Sequence, residues 1–401
     1  MVRRETAKVL FATMAGTLDT TALLPVIAFY AQFRGADVFW TGVIVGLYSA
    51  VHAPANLLFG RLVDRRGRRL PLTLGLLWDA ASLVLYTFAA TPLLLGLARV
   101  SHGLGGGLIG PSTMSLASDS AAPARKGRAM ALYGISIATA VVIGTGIATP
   151  IHTRFGYDAL FFLLAAVLAV AAVVSLTIRE PAPRGSSARL DLPRLLRNLR
   201  REEPLAGYAA IFSLHVILGT FVTLVPLFLK DDLGYAPAVV GMSFFTFAVA
   251  SLIFHYAGGV LADRRGSSVP ALAGLVVIGT AMVLIPVSAD LLSLLLTMLL
   301  FGLGHGLVFP ASSALVTRGS DPDQVGTMTG VFYAILVLGV AIGAPATAAV
   351  AAAYGNGVGL QVSALAAIVG IGFALRAFLV ARDPAASPLG AAGPVDRSGD
   401  P

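Results

Sequence analysis

Gly60-Arg-Leu-Val-Asp64-Arg65-Arg66-Gly67-Arg68-Arg69 is a short, densely basic stretch between two long apolar runs. A second copy, Gly259-Val-Leu-Ala-Asp263-Arg264-Arg265-Gly266, follows at an offset of 199 residues, the same for the glycines, the acid and the arginine pair. A shared offset over so many fixed positions marks one ancestral unit used twice. The register extends further: Gly103, Gly105, Gly107 and Pro111 fall on Gly302, Gly304, Gly306 and Pro310, Gly127 on Gly326, and Gly144 on Gly343. Small residues at every second position let helix backbones approach closely within a membrane.

The runs around the basic stretch set the class of protein. The chain is 57% hydrophobic and 12% charged, where a soluble domain carries roughly 25% charge. A membrane-crossing helix needs about 20 mostly apolar residues. Such windows fall at 8–32, 38–60, 71–90, 93–118, 128–150 and 158–178, and again at 206–230, 236–260, 269–289, 291–317, 324–349 and 357–381. The expected organisation is a six-span half over 1–178, a polar central loop over 179–204, a second six-span half over 205–381, and a disordered Pro/Gly/Ala/Ser-rich tail over 382–401. The N-terminal apolar run is too long and too polar for a cleaved signal and reads as an uncleaved first span.

The net charge of +8 lies in alternate short loops, with Arg34, Arg154 and Lys230 alone on the opposite side. That pattern points to a membrane rather than to nucleic acid, and to both termini in the cytoplasm. Cysteine is absent, so no disulfide, Cys-metal site or thiol chemistry is available. No phosphate loop, metal-ligand spacing or activated nucleophile is visible, so neither an enzyme nor a cofactor or metal is expected.

The stretch at Gly60 matches the G-x-x-x-D-R-x-G-R-R loop motif between spans two and three of the major facilitator superfamily, and on these residues the chain resembles that family over about 8–381. Leu97-Ala-Arg99-Val-Ser-His102-Gly103-Leu-Gly105 resembles the fourth-span motif of its proton-coupled members, with His102 where Gln is usual. Leu18-Asp19-Thr20-Thr21, followed by Pro25, resembles the first-span motif of 12-span drug:proton antiporters. One departure concerns the fifth span, where efflux members carry a Gly-Pro pair. Here Gly144 precedes Thr145, and the proline appears in the partner span at Gly343-Ala344-Pro345. The resemblance implies an all-α integral membrane protein whose 12 helices form two six-helix bundles related by pseudo-two-fold symmetry.

Charges inside a bilayer cost several kcal/mol and ask for a reason. Asp19, Asp79 and Arg99 lie well inside spans, all in the first half; the offset places Leu218, Ile278 and Met298 opposite them. Asymmetric charge suggests proton coupling. Asp19 is the first-choice carrier, the competing reading being a plain ion pair with Arg99. Arg99 either tunes a nearby acid or is a fixed cation against backbone carbonyls. Asp79 either belongs to the relay or, beside Trp78, marks a water-facing edge. His102, His215, His255 and His305, with Asn56, Phe221 and Phe245, are candidates for the substrate cavity, against the plainer readings of hydrogen-bonded interior and packing residues.

The loop motif is a candidate gate. Gly60 would allow close packing and Gly67 a turn with positive φ. Asp64 would accept hydrogen bonds from the N-terminus of a facing helix, which the resemblance implies is span eleven, and Arg68 would pair with Asp119. Arg65 and Arg69 complete the basic latch of the outward-open state, and Asp263 belongs to its weaker copy. The alternative is a topology anchor only.

The expected function is proton-coupled efflux, by alternating access, of small lipophilic or amphipathic compounds such as drugs. Its partners would be that substrate, protons and the lipid of a bacterial-type cytoplasmic (inner) membrane, with the protein a monomer. A transporter of a defined metabolite (sugar, siderophore or lipid-like molecule) and a non-transporting membrane sensor or scaffold are the alternatives.

Overall fold

The computed structural model describes residues 2–119, 126–179, 192–321 and 324–381. Its helices are α1 (Val2–Leu23), α2 (Ile27–Phe33), α3 (Val38–Arg66), α4 (Arg69–Phe88), α5 (Pro92–Asp119), α6 (Lys126–Phe155), α7 (Tyr157–Leu176), α8 (Leu192–Leu199), α9 (Glu202–Leu227), α10 (Pro237–Arg265), α11 (Ser268–Leu284), α12 (Leu291–Arg318), α13 (Val325–Tyr354), α14 (Asn356–Ser363) and α15 (Leu365–Val380). Among the described residues eleven spans are long and apolar enough to cross a bilayer, and α1–α2, bent by 52°, supplies a twelfth. Pro25 lies in that bend, where its missing N–H breaks the helical ladder.

The surface confirms the solvent. Leu74, Leu77, Leu85 and Phe88 on α4, and Leu292, Leu296 and Leu299 on α12, are exposed in rows. Contiguous apolar faces of this kind are foreign to a water-soluble monomer and suit lipid.

The sequence repeat is a packing repeat. Among the described residues those with positive φ are six glycines in three pairs at the 199 offset: Gly35 and Gly234, Gly67 and Gly266, Gly156 and Gly355. Each turn thus recurs in the second half, and Gly67 has the expected conformation. Glycine contacts recur as well. A methyl on Gly103 would meet Tyr48 O and His52 N of α3; one on Gly302 would meet Phe247 O and Ser251 N of α10. Gly107 faces Ala55 and Asn56, and Gly306 faces Phe254 and His255. Gly105 lies on Asp79, and Gly304 on Ile278. Every partner is displaced by the same 199 positions. Even the helix starts correspond: Thr91 Oγ1 accepts from Leu94 N, and Asp290 caps α12 through Ser293 N.

The two halves clasp at the arginine-poor end. Gly42 sits on Ala344 and Ala348 of α13, and Gly46 on Ala341 O and Pro345. Gly241 of α10 meets Thr149 of α6, and Gly146 meets Phe245. Gln32 Nε2 donates to Asp231 Oδ2 at 2.9 Å, and Lys230 Nζ donates to Gln32 Oε1 at 3.2 Å. Toward the basic ends of the same four helices, a methyl on Gly60, Gly134, Gly259 or Gly330 would meet nothing within 4 Å. This corrects the packing role expected of Gly60: with the opposite end clasped, the side of the helix that it presents faces open space.

The central stretch is not all loop. α8 docks on the second half, where Arg194 and Arg201 pair with Asp321 at 3.0 and 2.8 Å. The tail 382–401 lies outside the described residues.

Candidate functional site

The glycine ridge of α5 builds the site. Because Gly105 and Gly106 have no side chains, α4 and α3 come close enough for the Asp79 carboxylate and the Tyr48 hydroxyl to lie against the α5 backbone. Asp79 is 1% exposed, whereas Trp78 is 42% exposed and points outward. The acid therefore belongs to the interior and not to a water-facing edge.

His102 stands at the centre of a hydrogen-bonded chain. Its Nε2 lies 2.9 Å from Asp19 Oδ2 and its Nδ1 2.8 Å from Tyr86 OH. Arg99 Nη1 donates to the same hydroxyl at 3.3 Å. All directions are satisfied at once if Arg99 donates to Tyr86, Tyr86 to His102 Nδ1, and His102 Nε2–H to Asp19. Asp79 Oδ2 lies 3.9 Å from His102 Nε2. Neither Asp79 oxygen has a hydrogen-bond partner of full geometry, the Gly106 N–H giving it a weaker electrostatic contact. Among the described residues Asp19, Asp79 and His102 are the one group whose metal-capable ligand atoms all lie within 4.8 Å of each other. The direct His102–Asp19 bond is the geometry of proton exchange.

Asp19 thus pairs with His102 rather than with Arg99. Arg99 is held by Ile44 O at 3.2 Å and Val45 O at 3.1 Å, with its guanidinium 4.9 Å from the Tyr48 ring centroid. Two carbonyls, a phenol and an aromatic face offset the cost of its burial. The anchoring continues outward, as Tyr30 OH donates to Tyr86 O at 2.6 Å.

Tyr48 and Tyr86 were not among the sequence candidates, although the signal was present. Asp79, Ser82 and Tyr86 recur at helical spacing on one face of α4, as do Tyr48, His52 and Asn56 on α3.

The remaining candidates separate. Phe221 is fully buried in a stack with Phe244, Phe247 and Phe301. It is a packing residue, which corrects its place among cavity candidates. Phe245, 42% exposed, packs at the clasp beside Gly146. Asn56 Oδ1 is buried with no hydrogen-bond partner of full geometry, His52 being its polar neighbour. His215, His255 and His305 come together on α9, α10 and α12, with ring centroids 5.4 Å apart for His255–His305 and 6.4 Å for His215–His305.

Of the gate, the side chains of Asp64, Arg65 and Asp119 lie outside the described residues. Arg68 is buried and Arg69 exposed at the start of α4. Asp263 pairs with Arg318 in an exposed contact between α10 and α12, which is worth about 0–1 kcal/mol.

Comparison with known proteins agrees with this architecture. The bovine synaptic vesicular amine transporter is 26% identical over 329 residues, covering 80% of this chain and 63% of that protein. The chain thus spans less than two thirds of that relative. The multidrug resistance protein MdtH of Yersinia pestis is 25% identical over 336 residues, covering 83% of each. A bacterial homologue of the human lysosomal transporter Spinster, in an inward-facing and occupied conformation, superposes with a TM-score of 0.80 at 15% identity, over 93% of this chain and 96% of that one. Sequence matches to the family's profile run over residues 9–245 and 208–397, and this multi-pass membrane chain belongs to the Major Facilitator Superfamily.

Proposed function

We propose that this transporter exports small lipophilic or amphipathic compounds in exchange for protons, by alternating access. The observation that carries the reading is the buried Asp19–His102–Asp79 trio coupled through Tyr86 to Arg99. A net charge is costly in a dry membrane interior. Neutrality then sets Arg99 against one carboxylate and leaves one proton for the other groups. The hydrogen-bond directions are met with Asp19 ionised and His102 neutral, which favours Asp79 as the holder. Once that proton leaves, the cluster carries one negative charge. A proton taken up from the other side restores neutrality, and tying that uptake to the change of access is the physical basis of exchange.

The relationship to a multidrug resistance protein and to an amine transporter supports a substrate class of amphipathic, often cationic, organic molecules. The distribution of basic loops supports a cytoplasmic-membrane protein with both termini inside. On that reading the clasped end is the outer one, and the interior is reached from the cytoplasm, where an exporter loads. The Gly60–Arg69 loop would then latch the opposite state. We take the working domains to be 1–178 and 205–381, and the unit to be a monomer.

The test is transport by purified protein in proteoliposomes under an imposed pH gradient. Asp79, rather than the Asp19 put first by the sequence, is then the carrier, and Asp79→Asn should abolish proton-driven efflux while leaving folding intact. Efflux with the normal pH dependence in that variant would sink the carrier assignment.

A further inference from the structure

The second half carries a polar cluster that the proton relay does not use. His255 Nδ1 donates to Ser251 O at 2.6 Å and His215 Nδ1 donates to Ile211 O at 2.9 Å. Both bonds run to the carbonyl one turn earlier, so each neutral ring carries its proton on Nδ1 and leaves Nε2 as a bare acceptor. His305 Nδ1 lies 2.8 Å from Ser251 Oγ. That hydroxyl also sits 3.3 Å from His255 Nδ1 and can accept there while donating to His305.

The three Nε2 atoms have no protein partner and are not among the buried unpartnered atoms, as the Nε2 of His52 is. Each therefore keeps some accessible surface within a largely buried cluster. Aromatic rings frame them: Phe309 lies 5.5 Å from His255, 6.1 Å from His305 and 6.4 Å from His215, and Phe247 lies 5.5 Å from His305. Every acid of α9–α15 lies at a helix end, so no carboxylate competes for a cation here.

The repeat shows how specific the arrangement is. His215, His255 and His305 fall on Gly16, Asn56 and Gly106 of the first half. The second half has gained imidazoles where the first has small or amide residues beside its acids.

Two lone-pair acceptors and an aromatic face form a receptor for N–H donors. We infer that His215, His255 and Phe309 bind the ammonium end of an aromatic primary or secondary amine. This rests on the exporter reading and names the substrate class of its cavity. Imidazole acceptors bond N–H groups, whereas a quaternary ammonium of equal charge offers none and keeps only the ring attraction.

The test is equilibrium binding in detergent at one pH, without a gradient, of 2-phenylethylamine and its N,N,N-trimethyl analogue. Wild type should prefer the primary amine by about tenfold, the scale of a hydrogen bond to a charged group. The double variant His215→Leu/His255→Leu should lose that preference while binding the trimethyl analogue as before. His255→Gln, which keeps an acceptor, should retain most of it. No preference in wild type, or an unchanged one in the double variant, overturns the inference. So does a double variant that alters only proton uptake after a pH jump, since the cluster is then a proton site. Loss of proton-driven efflux in Asp79→Asn and loss of amine preference in the histidine double variant are separate readouts, so failure of the carrier assignment and failure of this site give different results.

Discussion

Tyr86→Phe removes one oxygen from the middle of the relay and nothing else. Two bonds disappear: Tyr86 O–H to His102 Nδ1 at 2.8 Å, and Arg99 Nη1 to Tyr86 at 3.3 Å. His102 is fully buried, so its Nδ1 is left unsatisfied at about 1–3 kcal/mol. Arg99 keeps Ile44 O, Val45 O and the Tyr48 ring, so its long bond adds at the low end, about 1 kcal/mol. The expected loss is about 2–4 kcal/mol. At roughly 2–4 °C per kcal/mol for a unit the size of one half, Tm should fall by about 4–16 °C. The imidazole also loses the bond that fixes its orientation toward Asp19, so the pH profile of transport should move along with stability. Tyr30→Phe is the control. It releases Tyr30 OH from Tyr86 O, a bond of 2.6 Å that holds the backbone but not the relay. That variant should lose stability and keep the wild-type pH profile. The assays are thermal unfolding of purified protein and pH-gradient transport in proteoliposomes. A Tyr86→Phe protein with unchanged Tm and pH profile, or a Tyr30→Phe protein with the same profile shift, refutes the chain as drawn.

Two further predictions concern packing and the linker between the halves. Gly105→Ala should cost about 1–3 kcal/mol, because its methyl would fall on the Asp79 carboxylate and within 3.2 Å of Asp79 N, whereas Gly60→Ala, with open space around it, should be neutral or gain about 0.5–1 kcal/mol in thermal unfolding. Arg201, Asn198 and Arg194 hold the Asp321 carboxyl below its ordinary range. A depressed folded-state pKa contributes stability above the unfolded value of about 3.9 and loses it as pH falls through the folded value. Docking of α8 should therefore hold from neutral pH to about 4 and fail below, while Asp321→Asn should loosen it already at pH 7, as hydrogen exchange of residues 192–199 will report.

The halves and their turns were legible because they depend on local chemistry repeated at one offset. Gly67 and Gly266 must take positive φ whatever surrounds them, and Gly103, Gly105 and Gly107 are small for the same reason as Gly302, Gly304 and Gly306. The isolated cost of burial was enough to single out Asp19, Asp79 and Arg99. Their partners were another matter. Asp19 meets His102 across 83 residues of chain, which depends on how α1 and α5 are rotated about their axes. Arg99 is satisfied by carbonyls of α3, a kind of partner every residue offers and no pattern reveals. Gly60 was misjudged because its packing depends on which end of the molecule is clasped, which no local pattern reveals.

The repeat then separates scaffold from chemistry. Gly105 and Gly304 hold the same place against α4 and α11, yet the first faces Asp79 and the second Ile278. Glycine at this contact serves helix approach in both halves, so it cannot be there for the acid. Once the close contact exists, the facing side chain is free to vary. The first half uses that freedom for a carboxylate and balances it with Arg99 and His102; the second closes the same contact with an apolar residue. Its polarity lies instead at His215, His255 and His305, at positions where the first half has Gly16, Asn56 and Gly106. A duplicated frame thus accommodates two different polar sites, with α3 and α5 matching α10 and α12 in their boundaries and the positive-φ turns preserved. It also means that Asp79→Ile, which copies the second half's solution, should pack against Gly105 as Ile278 packs against Gly304. Such a protein should fold at least as well as wild type and lose its coupling to protons. Unfolding of that variant would show that the acid helps to hold the first half together, and that scaffold and chemistry are not separable there.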